Sequence, residues 1–333
     1  MLTTAARVQA ADQTSLPNKV VLRTIGLSKQ FGSLLAVDNL DIDVRPGEVL
    51  GFLGPNGSGK STTVGMILGL IGPTAGRIEF EGLDLARHRP RAIHGIGSII
   101  ESPAFYPYLS GRDNLRALAL AVGDLSPRRV DDLLTLVGLG ERAGDAYKTY
   151  SLGMKQRLGI ASTLLTDPKL IVLDEPTNGL DPAGQREIRE LIPRLAHEGH
   201  AVLLASHLLN EVEQVCDRVA IIRRGRLLQI GSVTDLLRRG AFIEVTVPPA
   251  DLTRAAAILR TLPCVGRVTV ADNHLQVLAR EERGAEINRA LANASVYATT
   301  IIPRRSTLED VFLELTGAAE PSAGGRERAA VAA

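Results

Sequence analysis

One nine-residue stretch, Gly54-Pro55-Asn56-Gly57-Ser58-Gly59-Lys60-Ser61-Thr62, constrains this chain more than any other. It fits the pattern G-x-x-x-x-G-K-S/T without a deviation. Phe52-Leu53 before it reads as the end of a buried strand, and the run Val64 to Leu70 after it as the first turns of a helix. A strand, a glycine loop and a helix N-terminus together make an anion site. The N–H groups of the loop point inward, and the helix dipole adds positive potential at the same place. In such a site Lys60 reaches the β- and γ-phosphates of a nucleotide, and Ser61 places its hydroxyl on Mg²⁺.

The surrounding sequence supplies the scaffold. Between Val20 and Phe80, short apolar runs such as Leu34-Leu35-Ala36-Val37, Leu40-Asp41-Ile42-Asp43-Val44 and Arg77-Ile78-Glu79-Phe80 alternate with the turns Arg45-Pro46-Gly47 and Glu81-Gly82. This predicts a small antiparallel sheet around the phosphate loop. From Asp113 to Leu165 the period becomes helical, over Arg116 to Val122, Pro127 to Val137 and Lys155 to Leu165. The segments Leu170-Ile171-Val172-Leu173 and Ala201-Val202-Leu203-Leu204-Ala205 are apolar throughout, as parallel strands covered on both faces must be. Between them Arg186 to His197 reads as a helix, with a kink expected at Pro193. Val219-Ala220-Ile221-Ile222 and Leu227-Leu228-Gln229-Ile230 flank Arg223-Arg224-Gly225-Arg226 as a hairpin, whose Arg223, Arg224 and Arg226 read as solvated turn residues, with a basic contact as the alternative.

Gly240 marks a change of style. Strands over Phe242 to Val247, Val265 to Val270, His274 to Ala279 and Thr299 to Pro303 alternate with helices over Leu252 to Leu262 and Glu281 to Ala292. The order β-α-β-β-α-β predicts a small ferredoxin-like α+β unit. A last helix opens on a capping box, Thr307 with Asp310, and carries the stripe Leu308, Val311, Phe312 and Leu315, read as core packing in preference to a partner site. The expected organisation is a flexible arm over 1–19, a nucleotide-binding domain over 20–239 with a helical subdomain at about 101–165, an accessory domain over 240–316 and a disordered tail over 317–333.

Composition narrows the function. Hydrophobic residues make up 45% of 333 residues, enough for ordinary cores, while a formal charge of +1 argues against a general nucleic-acid binder. Cys216 and Cys264 match no metal spacing and read as idle thiols of a reducing cytosol. No apolar run reaches the ~18 residues that span a bilayer, so the expectation is a soluble cytosolic protein whose membrane role would need a partner.

The phosphate loop alone does not choose among kinases, GTPases and transport ATPases. Leu170 to Leu173 leads into Asp174-Glu175-Pro176, a buried strand ending in two carboxylates. Asp174 can hold Mg²⁺ through water, and Glu175, where the chain leaves the sheet, can polarise a water in line with the γ-phosphate. A GTPase would need a base-reading motif such as N-K-x-D, which is absent; a small-molecule kinase would not usually need Glu175. Tyr150-Ser151-Leu152-Gly153-Met154-Lys155-Gln156-Arg157 offers a second phosphate-binding helix start, though a serine N-cap also begins many ordinary helices. Two phosphate-reading elements in one chain suggest two chains facing each other head to tail.

With these elements in this order, the chain resembles the ATP-binding subunits of ABC transporters over roughly Val21 to Gly240. The resemblance implies that Phe31 stacks on adenine, that Gly54 to Thr62 is the Walker A loop, and that Ser151 to Met154 is the signature, commonly L-S-G-G-Q. It further implies that Asp174 and Glu175 are the Walker B aspartate and the catalytic glutamate, that Asn178-Gly179-Leu180-Asp181 is the D-loop, and that His207 is the switch histidine at the γ-phosphate. Two departures stand out. Leu152 and Met154 replace Gly and Gln in the signature, while Ser151 and Gly153 keep the hydroxyl and the close backbone approach. Glu101 stands where the family has the Q-loop glutamine, and its carboxylate can ligate Mg²⁺ more strongly while adding negative charge near the phosphates.

Glu101 with S-L-G-M-K-Q-R resembles the ATPases of bacteriocin, lantibiotic-immunity and bacitracin-resistance exporters. Ser306-Thr307-Leu308-Glu309-Asp310-Val311-Phe312 resembles the C-terminal part of antibiotic-export ATPases. The resemblance implies ATP and Mg²⁺ as cofactors and a homodimer, or a pair with a homologous ATPase subunit. It also implies an integral membrane permease as partner, so that the subunit sits peripherally at the cytoplasmic face of the membrane. The permease would dock near Glu101 to Asn114, with Phe105, Tyr106 and Tyr108 either contacting it or simply packing. The rival reading, a non-transport ABC ATPase acting on nucleic acid or the ribosome, lacks the coiled coils, zinc modules or tandem ATPase units such proteins usually carry. A regulatory binder that does not hydrolyse ATP has no need of Glu175.

Overall fold

The computed structural model describes residues 20–100, 103–123, 126–239, 242–271, 273–304 and 306–316. The expected arm and tail, and Glu101, lie outside these. The chain opens with β1 (Leu22–Phe31), β2 (Leu34–Leu40), β3 (Asp43–Val44) and β4 (Val49–Leu53). The phosphate loop then leads from β4 into α1 (Lys60–Ile67), followed by β5 (Ala75–Phe80), β6 (Leu83–Asp84), α2 (Leu85–Ala92) and β7 (Ile96–Ile99). Helices α3 (Gly111–Val122), α4 (Pro127–Leu136) and α5 (Leu152–Thr163) come next, before β8 (Leu170–Asp174), α6 (Pro182–His197), β9 (Ala201–Ser206) and α7 (Leu209–Val215). The hairpin β10 (Arg218–Arg223) and β11 (Arg226–Ser232) and α8 (Val233–Arg239) end this part.

Among the described residues, β1, β2, β3, β5 and β6 form the expected antiparallel sheet, and a six-stranded sheet runs in the order β11-β10-β4-β9-β8-β7. All neighbours in the second sheet pair in parallel except the β10–β11 hairpin. Every residue of β4, β8 and β9 is buried. Successive residues point to opposite faces, and the two faces feed two cores. Leu50, Phe52, Val172 and Leu203 pack toward the antiparallel sheet and α1, while Val49, Leu53, Leu173 and Leu204 pack toward the helices. Strand β7 has no long apolar run to announce it. Its Gly97 lies where a Cβ would come within 2.4 Å of the Thr163 carbonyl, so close packing against α5 takes the place of a side chain. Helix α6 runs unbroken through Pro193, the site of the expected kink.

The C-terminal elements keep the expected order: β12 (Phe242–Thr246), α9 (Leu252–Arg260), β13 (Arg267–Ala271), β14 (His274–Leu278), α10 (Gly284–Asn293) and β15 (Thr300–Arg304). Their sheet runs β13-β14-β12-β15 with every neighbouring pair antiparallel, over an apolar core of its own that includes Ile243, Leu259, Leu275 and Leu291. The last helix, α11 (Leu308–Thr316), does not join that core. Leu308 and Val311 are buried in the larger helical core beside α7 and α8, and the Leu308 amide donates to Glu213 Oε2 at 2.9 Å. Full burial of Leu308 is worth about 2 kcal/mol. The predicted capping box forms, with Asp310 N donating to Thr307 Oγ1 and Thr307 N to Asp310 Oδ2. Of the predicted stripe, Phe312 is partly buried against the core, whereas Leu315 is 37% exposed on the outer side.

Candidate functional site

Because β4, β9 and β8 are parallel neighbours, their carboxyl ends lie at one edge of the sheet, where ligands bind in such folds. The register sets Leu53 opposite Ser206 and Asp174 opposite Ala205. The phosphate loop, the Asp174-Glu175 pair and His207 therefore leave the sheet side by side. The loop and the carboxylate pair border a cavity of about 740 Å³ whose walls include Pro55, Asn56, Gly57, Gly59, Lys60, Ser61, Thr62, Asp174 and Glu175; His207 is not on its wall and meets it through Glu175.

The two glycines of the pattern are sterically required. A Cβ on Gly54 would lie 2.5 Å from the Ile222 carbonyl, and one on Gly59 would lie 2.6 Å from the Ala36 carbonyl. Gly59 also has φ 106°, which side-chain-bearing residues avoid. It is the N-cap of α1 and leaves that helix start without a side-chain cap, so the first-turn N–H groups face the cavity. The buried amine of Lys60 donates to Gly54 O at 2.6 Å and stands 3.7 Å from Glu175 Oε1. The buried Ser58 hydroxyl has no partner among the described residues.

Glu175 is held from three sides. Its amide still donates to Ala205 O at 2.9 Å, extending the β8–β9 ladder by one residue, while its own φ of 49° is left-handed. That backbone is costly for a residue with a side chain and swings the carboxylate out of line with β8. Glu175 Oε2 then accepts from His207 Nδ1 at 2.8 Å. An ionised carboxylate only accepts, so the Nδ1 proton points at Glu175 and Nε2 is the imidazole nitrogen left over. Asp174 is 5% exposed at the floor of the same cavity.

Other predicted residues take different places. Ser151 is the N-cap of α5, its hydroxyl accepting from Met154 N at 3.2 Å, and Asp181 is the N-cap of α6, accepting from Gly184 N at 3.1 Å. Neither they nor Gly153 lines the cavity. Gly153 meets Gly184 backbone to backbone, which binds the two helix starts together. Phe31 is 46% exposed with the Lys29 amine 4.9 Å over its ring; it pairs in register with Leu34, which does line the cavity.

Further lining residues had no role assigned from sequence: Leu34, Leu35, Ala36, Gln156 and Arg224. Arg224 and Gly225 both have positive φ, the backbone of a type I′ turn, and Gly225 N donates to Ser58 O at 2.8 Å. The hairpin is thereby bolted to the phosphate loop, and Arg224, read from sequence as a solvated turn residue, borders the cavity. The hairpin pattern signalled the turn, and the parallel pairing of β10 with β4, which no local pattern shows, carries it to the phosphate loop.

A match to the family described as ABC transporter covers residues 37–178, the stretch that runs from the wall of the cavity through Glu175. The bacitracin transport ATP-binding protein BcrA of Bacillus licheniformis is 38% identical over 300 residues, spanning 89% of this chain and 97% of the relative. The chain belongs to the ABC transporter ATP-binding proteins. The lantibiotic transport ATP-binding protein SrtF of Streptococcus pyogenes is 42% identical over 208 residues, 62% of this chain and 89% of the relative. A solved ATP-binding subunit of an ABC transporter is 32% identical with a TM-score of 0.59, covering 66% of this chain and 92% of that one. As an ABC ATPase the chain hydrolyses ATP. No helix among the described residues is long and apolar enough to cross a membrane.

Proposed function

We propose that this subunit drives export of an antibiotic, peptide or other drug-like compound through a separate membrane permease, using Glu175 as the general base for ATP hydrolysis. The observation that carries the chemistry is the placement of Glu175 between Lys60 and His207 at the mouth of the phosphate loop. Lys60, now donating to a loop carbonyl, is within reach of β- and γ-phosphate oxygens. Glu175 takes the proton of the attacking water, and His207 fixes the orientation of its carboxylate. The bacitracin and lantibiotic transport named for the relatives supports the cargo class.

Mg²⁺ fits the donor set. Ser61 and Asp174 offer hard oxygens on one cavity wall, and this ion typically takes one or two protein oxygens with phosphates and water completing its shell. Bound there, it would neutralise charge developing on the phosphates. Ile100 lines the cavity and Glu101 follows it in the chain, which supports Glu101 as a further oxygen donor toward that ion. Phe31 is assigned to the adenine end, next to Leu34. Ser151, Gly153 and Asp181 do not line the cavity, although Leu152 and Asn178 beside them do, which supports a dimer in which they complete the site of a second ATPase subunit.

The permease surface is assigned to the loop before α3. Asn114 pins this loop by accepting from Tyr106 N at 2.8 Å. Tyr106 and Tyr108 are 68% and 82% exposed, whereas Phe105 packs edge-on against Tyr147. The deciding experiment expresses the chain with its permease in a sensitive strain. Wild type is expected to protect against bacitracin or a lantibiotic. Glu175→Gln is expected to bind ATP normally, lower turnover about 100-fold or more and abolish protection. Unchanged turnover would refute the base assignment, and wild-type ATPase without protection would refute the cargo class.

A further inference from the structure

The loops after β8 and after β9 are tied together twice. The outer tie is Glu175 to His207. The inner tie is Thr177 Oγ1 donating to Glu211 Oε2, with both residues nearly inaccessible at 3% and 4% exposure. Thr177 lies two residues beyond Glu175, and Glu211, in the first turn of α7, lies four residues beyond His207. The Thr177 carbonyl also accepts from Leu180 N, closing the turn that carries Asn178 to Asp181.

Glu211 is an expensive residue for this place. Its second oxygen, Oε1, is buried without a hydrogen-bond partner among the described residues. A buried carboxylate with one of its two oxygens unsatisfied is destabilising, and an apolar side chain of similar length would fill the space at lower cost. What Glu211 supplies that an apolar residue could not is a strong, directional acceptor for the Thr177 hydroxyl. The two ties form consecutive rungs between the same pair of loops. With the inner rung fixed, the approach of His207 to Glu175 is set by short, well-packed chain segments.

We propose that Thr177 and Glu211 are a positioning pair for ATP hydrolysis, holding the loop after β8 against α7 so that His207 meets the Glu175 carboxylate. This rests on the reading of Glu175 and His207 as the hydrolytic pair. Both side chains are buried and neither lines the cavity, so their effect falls on turnover and not on nucleotide affinity.

The test uses the full chain and measures ATP turnover, ATP affinity and thermal stability side by side. Thr177→Val keeps the shape and removes the hydroxyl, and Glu211→Met removes the acceptor from the other side. Each is expected to lower kcat about tenfold with the Kd for ATP unchanged, as misplacement of a base does. Thr177→Ser and Glu211→Gln, which retain donor and acceptor, are expected to stay within about twofold of wild type. The double variant Thr177→Val/Glu211→Met is expected to be no slower than either single one, since the rung is lost once. Wild-type kcat in a folded Thr177→Val or Glu211→Met protein overturns the proposal. So does a fall in kcat that Thr177→Ser and Glu211→Gln do not rescue, because it then follows stability alone. If Thr177→Val does not fold, the Glu211→Met and Glu211→Gln contrast decides by the same criteria. Failure here leaves Glu175→Gln inactive, whereas failure of the underlying reading leaves Glu175→Gln active.

Discussion

Two helix starts in this molecule were both expected to read phosphate, and they are built differently. The start of α1 has Gly59 as N-cap and no side-chain cap, so its donors open into a walled cavity beside a buried lysine. The start of α5 has Ser151 as N-cap, whose hydroxyl already accepts from Met154 N, and its next residue, Leu152, is 45% exposed. An uncapped helix end is tolerable only where something else satisfies its N–H groups. The first start therefore leaves its donors free for a ligand or water in the cavity, while the second has one donor satisfied by its own cap and can offer the rest to another molecule. The contrast shows how one cavity can be bordered by both helix starts, through Lys60 and Ser61 of α1 and Leu152 and Gln156 of α5, while Ser151 itself stays off its wall.

Substitutions at the two starts break the comparison apart. The largest effect is expected at α1: Lys60→Ala removes charge-assisted hydrogen bonds to two phosphates and is expected to weaken ATP binding about 100-fold, read by fluorescent-nucleotide titration. Binding within threefold of wild type would show that the loop backbone suffices alone. At α5, Ser151→Ala is expected to leave ATP binding by the single chain intact. It should cost about 1 kcal/mol of stability through the lost cap, and should lower turnover in the assembled transporter severalfold. A loss of binding in the isolated chain would place this helix start in its own cavity after all. The smallest effect is expected at Arg224, an exposed cation at the rim beside the first start. Arg224→Ala is expected to weaken ATP and ADP binding about two- to fivefold with kcat unchanged, and the difference should shrink as salt is raised.

What the sequence disclosed follows the range of the interactions. The phosphate loop, the run into Asp174-Glu175 and the His207 position were legible because buried parallel strands leave continuous apolar runs that end where function begins. Strand β7 was not, because its four residues include Gly97, whose reason for being there is the distant Thr163 carbonyl. Arg224 was legible as a turn residue and illegible as a rim residue, since only the pairing of β10 with β4 carries the turn to the loop. Thr177 and Glu211 are 34 positions apart and belong to no local pattern. The split of the predicted stripe on α11 was hidden for a similar reason: the period shows which side of a helix is apolar, but not how far a neighbouring body covers it.

That last helix changes the mechanical character of everything between β12 and β15. Leu308 and Val311 return the chain to the helical core from which α8 departed, and Glu213 of α7 receives the first amide of α11. The small four-stranded sheet is thus spliced into the chain and anchored fore and aft on the same body, like a door on two hinges. A unit on a single tether could swivel freely; this one keeps fewer degrees of freedom. Its rear anchor bears on the short helix that begins two residues after His207, so α11 sets the small sheet's attachment against the same helix that follows β9.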